Sequence, residues 1–314
     1  MSIASQISRL QTAKADIKTA IESKGVTVPS DAKLDVYDDY VNLISSGSGG
    51  SGWQPHPDWI DISTVQNNEI NILVSDGGTG VAFAVTVASA GTYTIDWGDT
   101  TVETSRASGT TYSHQYTLGS GQSVNGGQYT VFKIRIYSAT GNITRFQMKK
   151  HPDYTRPSCA PLLWAVFGTT AITTYANTFY TNGQVECPQL QACTIPSFTS
   201  CSSTSYMLYN CYGLSSLTLP STWGSVTNIS YMFYNNYSLS SLTLPSTWGS
   251  VTNVSYMLYN CYGLSSLTLP TTWGSITNTS WMFASCRALS SLILPTSWGS
   301  VTNTSYMFYY CYSL

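Results

Sequence analysis

The sequence predicts a mainly β, modular protein with three parts: a short N-terminal helical anchor, a β-sandwich, and a C-terminal β-solenoid of 25-residue repeats. Three observations carry that prediction. From Ser205 onward the sequence copies itself every 25 residues. Ahead of the copies, runs of alternating apolar and polar residues separated by Gly-rich turns fill residues 53–148. Charge is scarce, with 9% Asp, Glu, Lys and Arg against ~25% in ordinary globular chains, while hydrophobic residues reach 42%. Core formers are therefore plentiful, which argues against disorder. The net charge of −2 and the lack of a basic run argue against a nucleic-acid partner.

Residues 1–46 are the expected anchor. Ile3, Ile7, Leu10, Ile17 and Ile21 follow a heptad seam with Lys14 in its one polar position, and Gly25 ends the helix. A second short helix follows Ser30-Asp31, with Leu34, Tyr37, Tyr40, Val41 and Ile44 on its inner face. Two readings stay open, a helical hairpin and an oligomerising anchor. Ile at both seam positions favours a homo-oligomer of three chains over two. Residues 47–52, inside the run from Ser45 to Gly52, form a flexible Gly/Ser linker.

Strands are expected at Ile70, Ile72 and Val74, at Val81, Phe83, Val85 and Val87, at Tyr93, Ile95 and Trp97, and at Val131, Phe132, Ile134, Ile136 and Tyr137. Asp76-Gly77-Gly78 and Gly126-Gly127 supply turns. The set Asp96-Trp97-Gly98-Asp99, His114-Gln115-Tyr116 and Gln128-Tyr129-Thr130-Val131 resembles the PKD domain. That family shows W-x-F-G-D-G, H-x-Y and G-x-Y-x-V. This chain lacks the Phe, and Thr100 stands where the last Gly belongs. The resemblance implies an immunoglobulin-like, PKD-like sandwich acting as a spacer or binding module rather than a catalyst.

Residues 149–204 are expected to hold an N-terminal cap around Leu163 to Phe167 and a degenerate repeat at Leu190, Cys193, Ile195 and Pro196. Residues 205–314 carry the regular copies. Tyr206-Met207 recurs at Tyr231, Tyr256, Trp281 and Tyr306, and Leu214-Ser-Ser-Leu-Thr-Leu219-Pro220 recurs at Leu239, Leu264 and Leu289. One copy buries too few large side chains, at ~1.5–3 kcal/mol each, to offset ~1–2 kcal/mol of backbone entropy per residue. Copies must therefore stack. Period 25 with L-x-x-L-x-L lies in the leucine-rich range. The pattern M-F-x-x-C-x-x-L-x-x-L-x-L-P followed by V-T-N resembles the BspA-like leucine-rich repeats of bacterial surface proteins, host-adhesion factors and phage appendages. Asn236 departs from the Cys of that pattern, which argues against an obligatory disulfide or metal in each repeat. The layout as a whole resembles virion structural proteins of bacteriophages, on the strength of Ala13-Lys14-Ala15-Asp16-Ile17-Lys18 and Lys24-Gly25-Val26-Thr27-Val28-Pro29.

No catalytic residue, metal site or cofactor is expected. The repeats from 205 to 314 contain no Asp, Glu or His and a single Arg, Arg287, so paired-carboxylate chemistry has no place there. Asn228, Asn253, Asn278 and Asn303 fit Asn-x-Ser formally, but an amide ladder satisfying backbone groups at the loop is the favoured reading. Aromatic columns are the candidate glycan or host-protein surface. One is Trp223, Trp248, Trp273 and Trp298. A second is Tyr209, Tyr234, Tyr259 and Tyr309. The third is Tyr212, Tyr237, Tyr262 and Tyr312. Packing on the convex side of the solenoid is the favoured reading for the Trp column, and at least one Tyr column should face solvent.

The expected function is a non-enzymatic phage virion appendage, a head or tail fibre. It would attach to other virion structural proteins through residues 1–46 and be extracellular after release. A bacterial cell-surface adhesin and a structural capsid decoration are the alternatives. Met1 to Gln6 lack the features of a secretory signal, and no apolar run is long enough to insert in a membrane. The repeat pattern stops at Leu314 without a cap, so either further chain or a partner is expected there.

Overall fold

The computed structural model describes residues 54–75, 80–117, 119–124, 129–152, 162–168, 171–180 and 186–314. The anchor positions Ile3, Ile7, Leu10, Lys14, Ile17 and Ile21 and the 47–52 linker lie outside them. Among the described residues the chain is mainly β, with almost no helix.

The first half contains β1 (Glu69–Ser75), β2 (Val81–Val87), β3 (Thr92–Asp96), β4 (Val102–Ala107), β5 (Thr111–His114), β6 (Gln122–Val124), β7 (Tyr129–Tyr137) and β8 (Ile143–Met148). One sheet runs β1-β7-β3-β4 with β6 also on β7, and the other runs β5-β2-β8. Alternation places Ile70, Ile72, Phe83, Val85, Ile134 and Phe146 in a shared core around Trp97. The Phe83 ring lies 5.2 Å from Trp97 and 5.6 Å from Phe146. The opposite face of the larger sheet is also covered. Leu73, Val131 and Val166 pack there against Trp59 and Ile62 in a second, smaller core. That second cover is why all seven residues of β1 are buried instead of every other one.

The sequence motif of this half closes into a single brace. Asp96 Oδ1 accepts the Gly98 N–H at 3.0 Å, and Asp99 Oδ1 accepts the Thr101 N–H at 3.1 Å. Asp99 Oδ2 pairs with His114 Nε2 at 2.7 Å, and the His114 ring stacks on Trp97 at 4.8 Å. The Tyr116 hydroxyl donates to the Trp97 carbonyl at 2.9 Å while its ring stacks on Phe132. Gly98 has φ +82°, and a Cβ there would meet the Lys133 carbonyl oxygen, so only glycine fits.

The passage into the repeats is a splice. β9 (Leu162–Phe167) pairs antiparallel with β1 and parallel with β10 (Ala192–Thr194), which pairs parallel with β11 (Ser216–Thr218). The smaller sheet joins as well: Met148 N–H donates to Thr178 O, and Thr173 N–H to Thr144 O, each at 2.9 Å. One hydrophobic core runs without interruption from Ile70 to Met307. The segment expected to cap the repeats thus binds them to the first half.

Each repeat forms one rung. The first leucine of the motif, at Leu214, Leu239, Leu264 and Leu289, is fully buried with Met207, Met232, Met257 and Met282. The second and third leucines are shallower, since Leu217, Leu219, Leu292 and Leu294 are only partly buried. Strands are three residues long, as in β12 (Ser241–Thr243) and β13 (Ser266–Thr268). Most of the pairing runs instead through the turn segment. The N–H groups of Thr204, Tyr206, Leu208 and Asn210 donate to the carbonyls of Asn228, Ser230, Met232 and Tyr234 on the next rung.

The V-T-N motif divides this labour. Val226 is buried. The Thr252 N–H and Oγ1 both donate to Thr227 O, at 2.8 and 3.1 Å. Asn228 Oδ1 accepts the Ser230 N–H at 3.0 Å, and Asn253, Asn278 and Asn303 repeat that bond. These asparagines thus satisfy backbone groups at the loop, as expected, each side chain capping its own turn, while a side-chain amide ladder forms elsewhere. It stands at Asn260, Asn235 and Asn210, each Nδ2 donating at 2.8 Å to the preceding Oδ1, and it ends on the Glu186 carboxylate at 2.7 Å.

Candidate ligand-binding surface

Trp223, Trp248 and Trp273 are at most 3% exposed, and Trp298 is half-buried. This agrees with the packing reading and removes Trp223, Trp248 and Trp273 from the candidate ligand-binding residues, because buried rings cannot meet a ligand. The turn after each of them is left-handed: Gly224, Gly249, Gly274 and Gly299 all sit near φ +50°, where glycine carries no steric penalty. The Nε1 atoms of Trp223, Trp248 and Trp273 are buried without a hydrogen-bond partner, a cost offset by the apolar area of the rings.

The tyrosines are arranged differently. Tyr209, Tyr234 and Tyr259 are half-buried and stack face to face at 4.5 and 4.7 Å. Tyr180 extends that column from the degenerate repeat, 4.3 Å from Tyr209. Tyr212, Tyr237 and Tyr262 stack at 5.0 and 4.9 Å, and the Arg287 guanidinium lies 4.3 Å over Tyr262 in a cation–π contact. Tyr309 and Tyr312 occupy the corresponding positions of the last rung and are exposed.

A further column was not singled out from the sequence. Tyr206, Tyr231, Tyr256, Trp281 and Tyr306 stack at 4.5, 4.6, 5.7 and 4.4 Å. These residues lie three positions before the Tyr209 column and interleave with it, at 5.6 Å for Tyr206–Tyr209 and 5.7 Å for Tyr231–Tyr234. The two columns make one band. Where Ala284 leaves a gap, the larger Trp281 ring fills it, 6.0 Å from Tyr259. The Tyr-Met period was a visible signal, but the adjacency of the two columns depends on backbone handedness. Tyr206, Tyr231, Tyr256, Trp281 and Tyr306 all have φ between +55° and +58°. Left-handed backbone costs ~1–2 kcal/mol for a residue with a side chain, and ring stacking returns ~0.5–1.5 kcal/mol. Bulky aromatics held in strained backbone on every rung are the kind of outlier that accompanies a functional surface.

Stacking also decides what the band can do. Ring faces press on neighbouring rungs, so solvent meets ring edges and phenol hydroxyls. Burial, and after it neighbouring groups, push the Tyr212 and Tyr231 phenols up to about 12. They remain protonated donors at neutral pH. From 187 to 314 the only charged side chain is Arg287, so the surface recognises by hydrogen bonds and shape.

The cysteines contribute hydrogen bonds. Cys193, Cys201, Cys211, Cys261, Cys286 and Cys311 are free thiols, and Cys187 is disulfide-bonded. Burial pushes the Cys261 thiol up to about 12. Cys261, Cys286 and Cys311 donate to the carbonyls of Phe233, Leu258 and Phe283 at 3.2, 3.1 and 2.9 Å. Asn236, the departure from the Cys pattern, donates through Nδ2 to the equivalent Leu208 carbonyl at 2.8 Å. The position therefore selects a small buried donor.

Residues 172–314 match the family model of the BspA type leucine rich repeat region, in six copies. No curated protein and no solved structure matches the chain. The match begins at Ile172, ahead of the regular copies and in the segment that hydrogen-bonds to β8. Tyr175 and Phe179 of that segment are buried at the head of the core.

Proposed function

We propose that this chain is a non-enzymatic adhesion module whose leucine-rich-type solenoid presents the tyrosine band to a host cell-surface glycan or protein. The observation that carries the reading is the band itself. Two interleaved aromatic columns continue across successive rungs at a cost in backbone strain, on a surface almost free of charge. In this reading the carrier is a phage virion, with the chain as head or tail fibre. Residues 1–46 attach it to other virion proteins, a three-chain assembly is favoured, and the immunoglobulin-like, PKD-like sandwich is the spacer. Several copies on one particle would turn weak single contacts into avidity.

The test is binding of the whole chain to host cells and to a glycan array, with Tyr234→Ala and Tyr259→Ala combined. Loss of binding at unchanged circular dichroism is expected, and undiminished binding would defeat the reading. Truncation of 1–46 should abolish incorporation into particles. The BspA-type match favours a second reading, a bacterial cell-surface adhesin. Fractionation of the native protein with cell envelopes instead of virions would select it.

A further inference from the structure

The place where the first half meets the repeats holds a cavity of about 590 Å³, within the ~300–1,000 Å³ usual for small-ligand sites. Trp59, Tyr129, Pro188, Gln189, Gln191 and Tyr212 are among its lining residues. They come from separate parts of the chain, which the β9 splice brings together.

Tyr212 differs here from the other rings of its column. Tyr237 covers one of its faces at 5.0 Å, and no other described ring stacks on it. One rung earlier the equivalent position is Pro188, whose carbonyl accepts the Gly213 N–H at 3.0 Å. A column that elsewhere presents ring edges thus begins at the cavity. Tyr129 is held in place by accepting the Trp59 indole N–H at 3.0 Å. The side-chain amides of Gln189 and Gln191 have no hydrogen-bond partner among the described residues. Every described lining residue is uncharged.

The geometry points to a binding site for a neutral saccharide unit in this cavity. Aromatic rings suit the apolar face of a pyranose. Amides that both donate and accept suit its hydroxyls. The described lining carries no charge to pair with a phosphate, carboxylate or ammonium group. This inference deepens the adhesive reading by naming a ligand class. It rests on residues other than the tyrosine band, so either can fail alone.

The experiment titrates the full chain with glucose, galactose, mannose, N-acetylglucosamine and their β-linked disaccharides, and with glucuronic acid as the charged comparison. Saturation-transfer NMR and calorimetry give the readout. At least one neutral sugar should bind and glucuronic acid should not. Gln191→Ala and Gln189→Ala should each weaken binding about tenfold or more at unchanged thermal midpoint, and Gln191→Glu should abolish it. Ser300→Ala, exposed on a distant rung and outside both the cavity and the tyrosine band, should leave it unchanged. Failure of every neutral sugar to bind overturns the site. So does binding that survives both glutamine variants, which would place recognition outside the cavity.

Discussion

At the scale of single residues, two departures from motif acquire physical meaning. Thr100 occupies the glycine position of the D-W-G-D turn and sits at φ +78°, exposed, where a β-branched side chain is disfavoured. Thr100→Gly should stabilise the protein by about 1 kcal/mol, read from its urea midpoint, because the relief of ~1–2 kcal/mol of strain exceeds glycine's entropic cost. Asn236 keeps the donor of the cysteine column but leaves its Oδ1 buried and unpartnered. Asn236→Cys should therefore raise stability by about 1 kcal/mol, whereas Cys261→Ala should lower it by about 2 kcal/mol through a lost donor and a small void. Both positions could be located in the sequence as breaks in a pattern. The positive φ of Tyr206 could not, since nothing in a tyrosine's chemistry announces left-handed backbone.

At the scale of elements, the brace around Trp97 ties folding to pH. Burial pulls the Asp99 carboxyl upward, but hydrogen bonds from His114 and Thr101 outweigh it and hold the group below its ordinary range. A depressed carboxylate stabilises the fold fully above its unfolded value of ~3.9. That stabilisation is lost as pH falls through the lower folded value. Urea midpoints measured between about pH 5 and about pH 2 should fall for the native chain and fall less for Asp99→Asn. The strands that the sequence revealed are those with apolar alternation: β1, β2, β3 and β7. β4 and β5 escaped because their outward faces hold mostly exposed polar residues, as in Val-Glu-Thr-Ser-Arg-Ala. The amide ladder escaped for a related reason. Its column passes from Asn210, Asn235 and Asn260 to Ser285 and Tyr310, so it looks less regular than the Asn228 column that was favoured instead.

At the scale of the molecule, the repeat period and the strand alternation ahead of it were both legible, but their union was not. Leu162 to Phe167 is a short apolar run, and periodicity alone cannot assign such a run to one neighbour or two. In the structure Ala165 faces Ile72 on one side and Cys193 on the other. Ala165→Pro, in the middle of a central strand, should cost about 3 kcal/mol or more. Calorimetry should show one transition for the native chain and a downward shift of that whole transition in the variant. Two separate transitions, only one of them shifted, would show that the halves unfold independently.

The same joint has a mechanical consequence. A strand shared by both neighbours leaves no pivot between them, so the rung at Met307 acts on a lever whose fulcrum lies at β1. A sideways push on Met307 must be resisted by the backbone ladder and by the rings wedged around Trp97, not absorbed by a swinging joint. Dyes placed on the distal rung and on β4 should tumble with one rotational correlation time, as two ends of a single stiff arm.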